Sequence, residues 1–414
     1  MRAHIFHKRF FCLLIISLLL GADAEPLQAA KPESLLKAAF VRNGDLWSKS
    51  ESNEKQLTRV GSVRYPKWSY DGRWIAYWKG ESKPELWAWD TQSGQAHLMS
   101  SEADPNFYWA PNRNCLAFVK SQQLFVVQPD QPASVRRIAE NISNYAWQPD
   151  GRGFLASEAA QSTADGWTPV RLLYISPEAN AEPQLLYVLP KPSDSFFAVG
   201  TSTFKWSATG RWIAFLATPT ASLSADGNTL CLLSSDGLVF KPIDQMVNND
   251  RYLEWAPEGD SLAYIEGVGR EGTTNKHLKV LDNPQAAAKT YTPSGYVELG
   301  FTWHRMRNIV ASRAQEAEWT SDITARPLPS LVNVKLSAWL PLRRIIPPPA
   351  GYGQFAPVSL PFQQLAWVQS DRRTASVVVA NAQGLEPAVW IERLDLGDSY
   401  YEQWNWSSVL QFYK

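Results

Sequence analysis

One phrase recurs along this chain, and a chain that repeats a single short supersecondary unit has few folds open to it. It reads "YPKWSYDGRWIAYW" around Trp68, "FYWAPNRNCLAFV" around Trp109, "YAWQPDGRGFLA" around Trp147, "FKWSATGRWIAFL" around Trp206, "LEWAPEGDSLAYI" around Trp255 and "GFTWHRMRNIVAS" around Trp303. The steps between these Trp anchors are 41, 38, 59, 49 and 48 residues. A degenerate seventh copy, "GQFAPVSLPFQQLAWV", has Phe355 in the anchor place 52 residues later, and an eighth begins at Trp406 in "WNWSSVLQF".

Each copy has the same grammar. An aromatic anchor is followed by a tight turn, often Asp-Gly or Glu-Gly, and then by a strand-like run such as "WIAYW". After a loop come a second strand such as "ELWAWD" or "HLKVLD", a short turn such as "TQSG" or "SSDG", and a last strand such as "QAHLM". Four short strands per repeat is the signature of a propeller blade. The competing account, a scatter of core Trp in a sandwich, does not explain why the anchors recur at one point of one phrase.

The chain ends fit the same grammar. Residues 38–60, "AAFVRNGDLWSKSESNEKQLTRV", carry the last three strands of a blade without an anchor phrase, whereas the C-terminus carries an anchor phrase and then stops. Paired, they complete one blade and leave no open sheet edge. The expected fold is therefore all-β: a single propeller of about eight four-stranded blades, seven being the alternative because the Phe355 copy is weak. It is expected to span residues 38–414, after a signal peptide at 1–24 and a linker at 25–37.

Composition excludes one class of partner. With 40 basic and 40 acidic side chains, and basic runs no longer than pairs such as Arg343-Arg344 and Arg372-Arg373, the chain lacks the clustered positive charge that nucleic-acid binding needs. Cys115 and Cys231, in apolar runs three blades apart on the repeat count, read as buried free thiols even where a disulfide is permitted.

The phrases "AAFVRNGDLW…KQLT" and W-S-x-D-G-x-W-I-A-F resemble the TolB-like propeller repeats, found in TolB and, more loosely, in the propeller domains of prolyl-oligopeptidase-type peptidases. The resemblance covers nearly all of residues 38–414 and implies the fold without implying an activity. Two departures matter. TolB has an α/β domain before its propeller, and only 13 residues separate Ala24 from Ala38, so the match does not support a Tol-Pal role. The peptidases carry a hydrolase domain, and no stretch here reads as one.

Signals of chemistry are sparse. The sequence has no Gly-x-Ser-x-Gly elbow, no His-Glu-x-x-His and no Cys-x-x-Cys. His97, His277 and His304 are the histidines outside the signal, too scattered for the metal site of a TolB-like pectic lyase. Gly267-Val268-Gly269-Arg270-Glu271-Gly272 spells Gly-x-Gly-x-x-Gly, but a dinucleotide site needs that string to open a helix, and here it joins "SLAYIE" to "HLKVLD" as a hairpin loop. No catalytic, cofactor-binding or metal residue is assigned, and no cofactor is expected. The reading is a non-catalytic binding module for an envelope or secreted protein or peptide; the alternative is an envelope hydrolase or lyase acting on carbohydrate or peptide at the propeller funnel.

Loop length says where a partner would dock. Strand direction alternates within a blade, so first-to-second and third-to-fourth turns share one face, while second-to-third loops and blade links share the other. The first face has tight connections such as "SYDG" and "APEG". The second collects the long ones, around Ser157–Arg171, Ala217–Thr229 and Gly267–Lys276, with links at Pro190–Thr203 and Trp339–Gln354. Long loops on a rigid scaffold tend to carry binding residues. Aromatic and Arg side chains dominate hot spots, so the partner-binding candidates are Trp167, Arg270, Trp339, Arg343, Arg344 and Tyr352.

The N-terminus reads as a secretory signal: Arg2, Lys8 and Arg9, then an apolar run from Phe10 to Leu20, then Ala22-Asp23-Ala24. Eleven apolar residues are too few for a hydrocarbon core of roughly 30 Å, which takes about 20. A lipid anchor would want a Cys where Glu25 stands. Removing three basic residues and Asp23 leaves 37 basic against 39 acidic, so the mature chain stays near neutral. The expectation is an exported monomer, periplasmic or on the extracellular or cell-wall side, with no transmembrane segment after cleavage. N-terminal sequencing of the mature protein should return Glu25 first; a start at Met1 refutes the assignment.

Overall fold

A computed structural model describes residues 36–414, apart from 179–180, 203, 305–307, 338–344 and 382–385. The proposed signal and most of the linker lie outside the described residues. All principal sheets are antiparallel, and eight of them follow the repeat.

Blade 1 combines Lys37–Arg42, Asp45–Ser50 and Asn53–Gln56 with the C-terminal strand Leu410–Phe412. Blade 2 follows with Val63–Trp68, Trp74–Lys79, Glu85–Asp90 and Gln95–Ser100, blade 3 with four strands between Phe107 and Ala139, and blade 4 with four between Ile142 and Val188. Blade 5 runs from Gly200 to Met246, blade 6 from Leu253 to Thr290, and blade 8 from Gly353 to Leu394. Blade 7, Tyr296–Trp303, Asn308–Gln315 and Ser330–Lys335, has three strands among the described residues. The fold is the closed eight-bladed propeller, and the seven-bladed alternative falls away.

The anchor phrase is the innermost strand and the turn that leaves it. In blade 2, Ser69 N–H donates to Trp74 O at 2.9 Å and Gly72 N–H to Ser69 O at 3.0 Å. Gly151 and Gly210 close the same turn on Gln148 O and Ser207 O. Each of these glycines has φ near +70°, a left-handed backbone that other residues adopt only at a cost, which is why the phrase carries "DG" or "TG" there.

The run after the turn is apolar without alternation because its strand is covered on both faces. Trp74–Tyr77, Leu116–Val119, Trp212–Ala217 and Leu262–Ile265 are buried throughout. Each blade lies between two others, so the core is a series of inter-blade layers.

The anchors stitch these layers together through a repeated hydrogen bond. The Trp109 indole N–H donates to Lys67 O at 2.9 Å, Trp147 to Tyr108 O at 3.0 Å, Trp255 to Lys205 O at 2.8 Å, and Trp303 to Glu254 O at 3.0 Å. In every case the acceptor belongs to the residue just before the preceding blade's anchor. Two lysines return the tie: Lys67 Nζ donates to Phe107 O and Lys205 Nζ to Leu253 O, both at 2.8 Å, each two residues before the next anchor. Burial holds the Lys67 ammonium down to about 7. Trp68, Trp147, Trp255 and Trp303 are buried, while Trp109 and Trp206 are half-buried.

Register corrects two of the repeat assignments. In six blades the anchor pairs with the first or second residue of the next strand, as Trp68 does with Ile75 and Trp109 with Leu116. By that rule the anchor place in blade 8 belongs to Ser359, which pairs with Leu365, while Phe355 pairs with Val368 higher up the strand. In blade 1 it belongs to Phe412, which pairs with Ala38; Trp406 precedes the closing strand. The two misread copies lack the Trp that signals the strand end, and a bulge between Phe355 and Val358 displaces the letters. Cys115 and Cys231 are buried free thiols, as expected, although blades 3 and 5 lie two apart rather than three.

Trp255→Ala removes a buried ring and one inter-blade tie, and should cost about 3 to 5 kcal/mol in urea unfolding, more than Trp319→Ala off the phrase. Equal losses would show that the anchors are ordinary core residues.

Candidate binding face

The long connections gather on one face, as loop length implied. Blade 4 contributes a small hairpin, Ser162–Thr163 with Gly166–Trp167; blade 5 a short helix, Ala221–Ser224; blade 6 the Gly267–Lys276 loop; and blade 7 the segment between Gln315 and Ser330.

The Gly-rich phrase is a loop between Leu262–Glu266 and His277–Leu281, and no helix follows it. It is organised from within by a cation. Lys276, fully buried, donates from Nζ to Val268 O and Thr274 O at 3.1 Å and to Asn275 O at 3.4 Å. Burial pushes this ammonium down to about 8, with Glu271, Glu266 and Glu316 acting against the fall. Gly267 has no substitute, since a Cβ there would stand 1.6 Å from Asn275 O.

Across this face runs an element with no counterpart in the repeat. Asp398–Tyr400 and Gln403–Asn405 form a hairpin in the link from blade 8 to the closing strand. At one end Asp398 Oδ2 accepts from the Tyr65 hydroxyl of blade 2 at 2.7 Å. At its tip Tyr401 O accepts from Gly272 N–H of blade 6 at 2.7 Å, and Gln403 Nε2 donates to Arg270 O at 2.6 Å. Blades 2 and 6 stand opposite each other in a ring of eight, so the hairpin crosses the mouth of the central channel.

Its turn is held by tertiary contacts rather than by its own sequence. Tyr401 and Glu402 both have positive φ, 49° and 70°, in a two-residue turn of the kind that favours Asn-Gly. What fixes it is Glu402, 1% exposed. Its Oε1 accepts from Arg372 Nε of blade 8 at 2.6 Å and its Oε2 from Arg326 Nη1 of blade 7 at 3.1 Å. Arg372 also donates to Arg326 O at 3.0 Å and Pro327 O at 2.9 Å, and Arg326 lies 3.9 Å over the Trp319 ring. Trp319 in turn meets Tyr401 at 5.0 Å.

The candidates fall in different places. Trp167 is 37% exposed at the base of the blade 4 hairpin, opposite Ser162. Arg270 is committed to the scaffold: its Nε and Nη2 donate to Asp226 at 2.8 and 2.6 Å, and Nη1 to the Tyr400 hydroxyl at 3.2 Å. That pairing lowers the Asp226 carboxyl below its usual range. Tyr352 is half-buried just before the inner strand of blade 8. Trp339, Arg343 and Arg344 lie outside the described residues.

Sequence reasoning missed Leu223, Val268 and Tyr400, which are 54%, 46% and 48% exposed on the same face as Trp167. An apolar letter in a loop gives no sign of whether it is buried. Among the described residues, no group of three or more His, Cys, Asp or Glu could hold a metal ion, and no helix is long and apolar enough to cross a membrane.

The fold and this face define the class as an eight-bladed β-propeller with one loop-rich, bridged face. No family model matches the chain, and no curated protein matches it. It is similar to solved structures at low identity. TolB from Acinetobacter baumannii is 16% identical with a TM-score of 0.39, over 62% of this chain and 65% of that one. A puromycin hydrolase is 14% identical with a TM-score of 0.48, over 82% of this chain and 55% of its own. The chain thus spans less than two thirds of either. A eukaryotic initiation factor is 14% identical with a TM-score of 0.52, over 87% of this chain and 97% of that one, a likeness of fold.

Glu402→Gln leaves Arg372 and Arg326 facing a neutral amide in a buried site, which should lower the opening free energy of the hairpin by about 3 to 5 kcal/mol. Hydrogen exchange of the amides in residues 398–405 should accelerate accordingly while those of Leu262–Ile265 stay protected. Unchanged exchange across the hairpin would show that its hold lies elsewhere.

Proposed function

We propose that the chain is an exported, non-catalytic propeller that docks a protein or peptide partner of the cell envelope through its loop-rich face. The observation that carries this reading is the set of exposed apolar side chains Trp167, Leu223, Val268 and Tyr400. They stand on loops of blades 4, 5 and 6 and on the crossing hairpin, all on one face. Large exposed apolar groups on one rigid surface favour association, since burying them against a partner releases water at little ordering cost. The rigidity here comes from Glu402 and Arg372 beneath the hairpin and from Lys276 inside the blade 6 loop.

Export to the periplasm or the outer side of the cell is part of the proposal and rests on the order of charged, apolar and small residues before Glu25. Arg343, Arg344 and Tyr352 enter the proposal from the length of the segment between blades 7 and 8 along the chain.

The test is crosslinking capture from native envelopes with the triple variant Trp167→Ala, Leu223→Ser, Tyr400→Ala, whose exposed positions should leave the circular dichroism spectrum unchanged. Loss of the partners captured by the unaltered protein is the expected result. A second variant replacing Arg343, Arg344 and Tyr352 with Ala is expected to reduce yield. Recovery of the same partners at the same yield from both variants would retire this face.

A further inference from the structure

We propose that a cleft between blades 3 and 4, on the face opposite the hairpin, binds a carboxylate carried on a small apolar body. The cleft measures about 200 Å³. Arg113 and Arg136 stand in its wall with Gln131 and Ser134, and Cys115 and Trp147 form apolar surface within it. It belongs to the turn face because Arg113 lies in the turn after the blade 3 anchor, and Gln131 and Ser134 lie in that blade's last turn.

Charge points to an anion. No acidic residue is among those lining the cleft. Arg113 Nη1 donates to Gly151 O at 2.6 Å with its guanidinium 5.2 Å over the Trp147 ring, and Arg136 Nη1 donates to Pro177 O. These carbonyl partners are neutral. They fix both guanidiniums without cancelling their charge, and each keeps further N–H groups for an incoming oxygen. Burial raises the Cys115 thiol, while Arg113 and Arg136 act against that rise, so both cations are felt at one point of the wall.

A narrow apolar edge selects among anions. Val126, Trp147 and Cys115 border the cleft with little of each exposed, which leaves room for a small branched aliphatic body beside a planar carboxylate held by planar guanidiniums, an edge that inorganic phosphate would not use. The amides of Gln128 and Gln131 suit a peptide bond next to that carboxylate, so a peptide C-terminus and a free aliphatic acid share the required chemistry. This site is independent of the loop-face reading and stands or falls separately.

Calorimetric titration of the full mature chain distinguishes the cases, with four probes: an acetylated dipeptide ending in leucine, its C-terminal amide, isovalerate, and inorganic phosphate. Saturable binding of the dipeptide acid, absence of binding by the amide, and weakening by about tenfold or more in Arg136→Gln are the expected results. A dipeptide acid tighter than isovalerate assigns the peptide C-terminus; equal affinities assign the free acid, and either supports the site. Arg113→Gln should weaken binding as well, but Arg113 also ties blade 3 to Gly151 of blade 4, so the exposed Arg136 carries the decision if that variant unfolds. No binding, phosphate as tight as the carboxylates, an amide as tight as the acid, or an Arg136→Gln protein of unchanged affinity would overturn the proposal.

Discussion

The pairing of Leu410–Phe412 with the first strand, Phe412 opposite Ala38 and Leu410 opposite Phe40, is the contact on which the ring depends. Every blade is covered on both sides by its neighbours, and this holds only if the first and last blades meet. A propeller left open would expose two layers of apolar strand, such as Ala38–Val41, to water. Closure joins the two ends of the chain, so it carries a larger loop-closure cost than the local hairpins do. The layer around the join gathers Phe40, Trp68, Phe355, Trp406 and Phe412 into one cluster, which offsets that cost by burial.

From closure follows a division of labour between the two faces. Near the turn face, inner strands are tied blade to blade by indole N–H groups and, at two joints, by lysines. On the loop face the same strands begin, and side-chain amides tie blades 3 to 5 in turn, Asn106 Nδ2 to Asn144 Oδ1 and Asn144 Nδ2 to Ser202 O. Around the hairpin the structure adds single devices: the buried Glu402 between two arginines, the internal Lys276, the Arg270–Asp226 pair. A buried ion pair such as Glu402 with Arg372 and Arg326 is expensive to assemble and weak as a net stabiliser, but it specifies one arrangement of loops that would otherwise have several. A fixed arrangement is what a recognition surface requires.

The repeat was legible because it is written in residues with narrow backbone preferences and large side chains. Trp68, Trp109 and Trp255 mark strand ends, Gly72 and Gly151 mark left-handed turns, and runs such as "WIAYW" announce strands covered on both faces. Where those markers fail, so does the reading. Ser359 and Phe412 hold the anchor place without the indole, and Phe355 and Trp406 drew the assignment because they are aromatic. Arg270 looked like a recognition residue from its loop, yet its guanidinium closes on Asp226.

By itself, then, the sequence determined the blade, its turn chemistry and the pairing of the ends, and narrowed the count to eight or seven blades, because each of these follows from contacts within one repeat or from its periodicity. It also determined which face is long-looped, since loop length is counted along the chain. Only the tertiary structure decided that residues 398–405 cross the channel mouth, which loop residues are exposed, and which charges are spent on the scaffold. The tip of that hairpin is a Tyr-Glu turn with positive φ at both residues, a conformation its own side chains disfavour. It exists because Arg326 and Arg372, on the loops of blades 7 and 8 beside the link that carries the hairpin, hold a buried carboxylate in place, and no pattern along the chain records a contact made between separate loops.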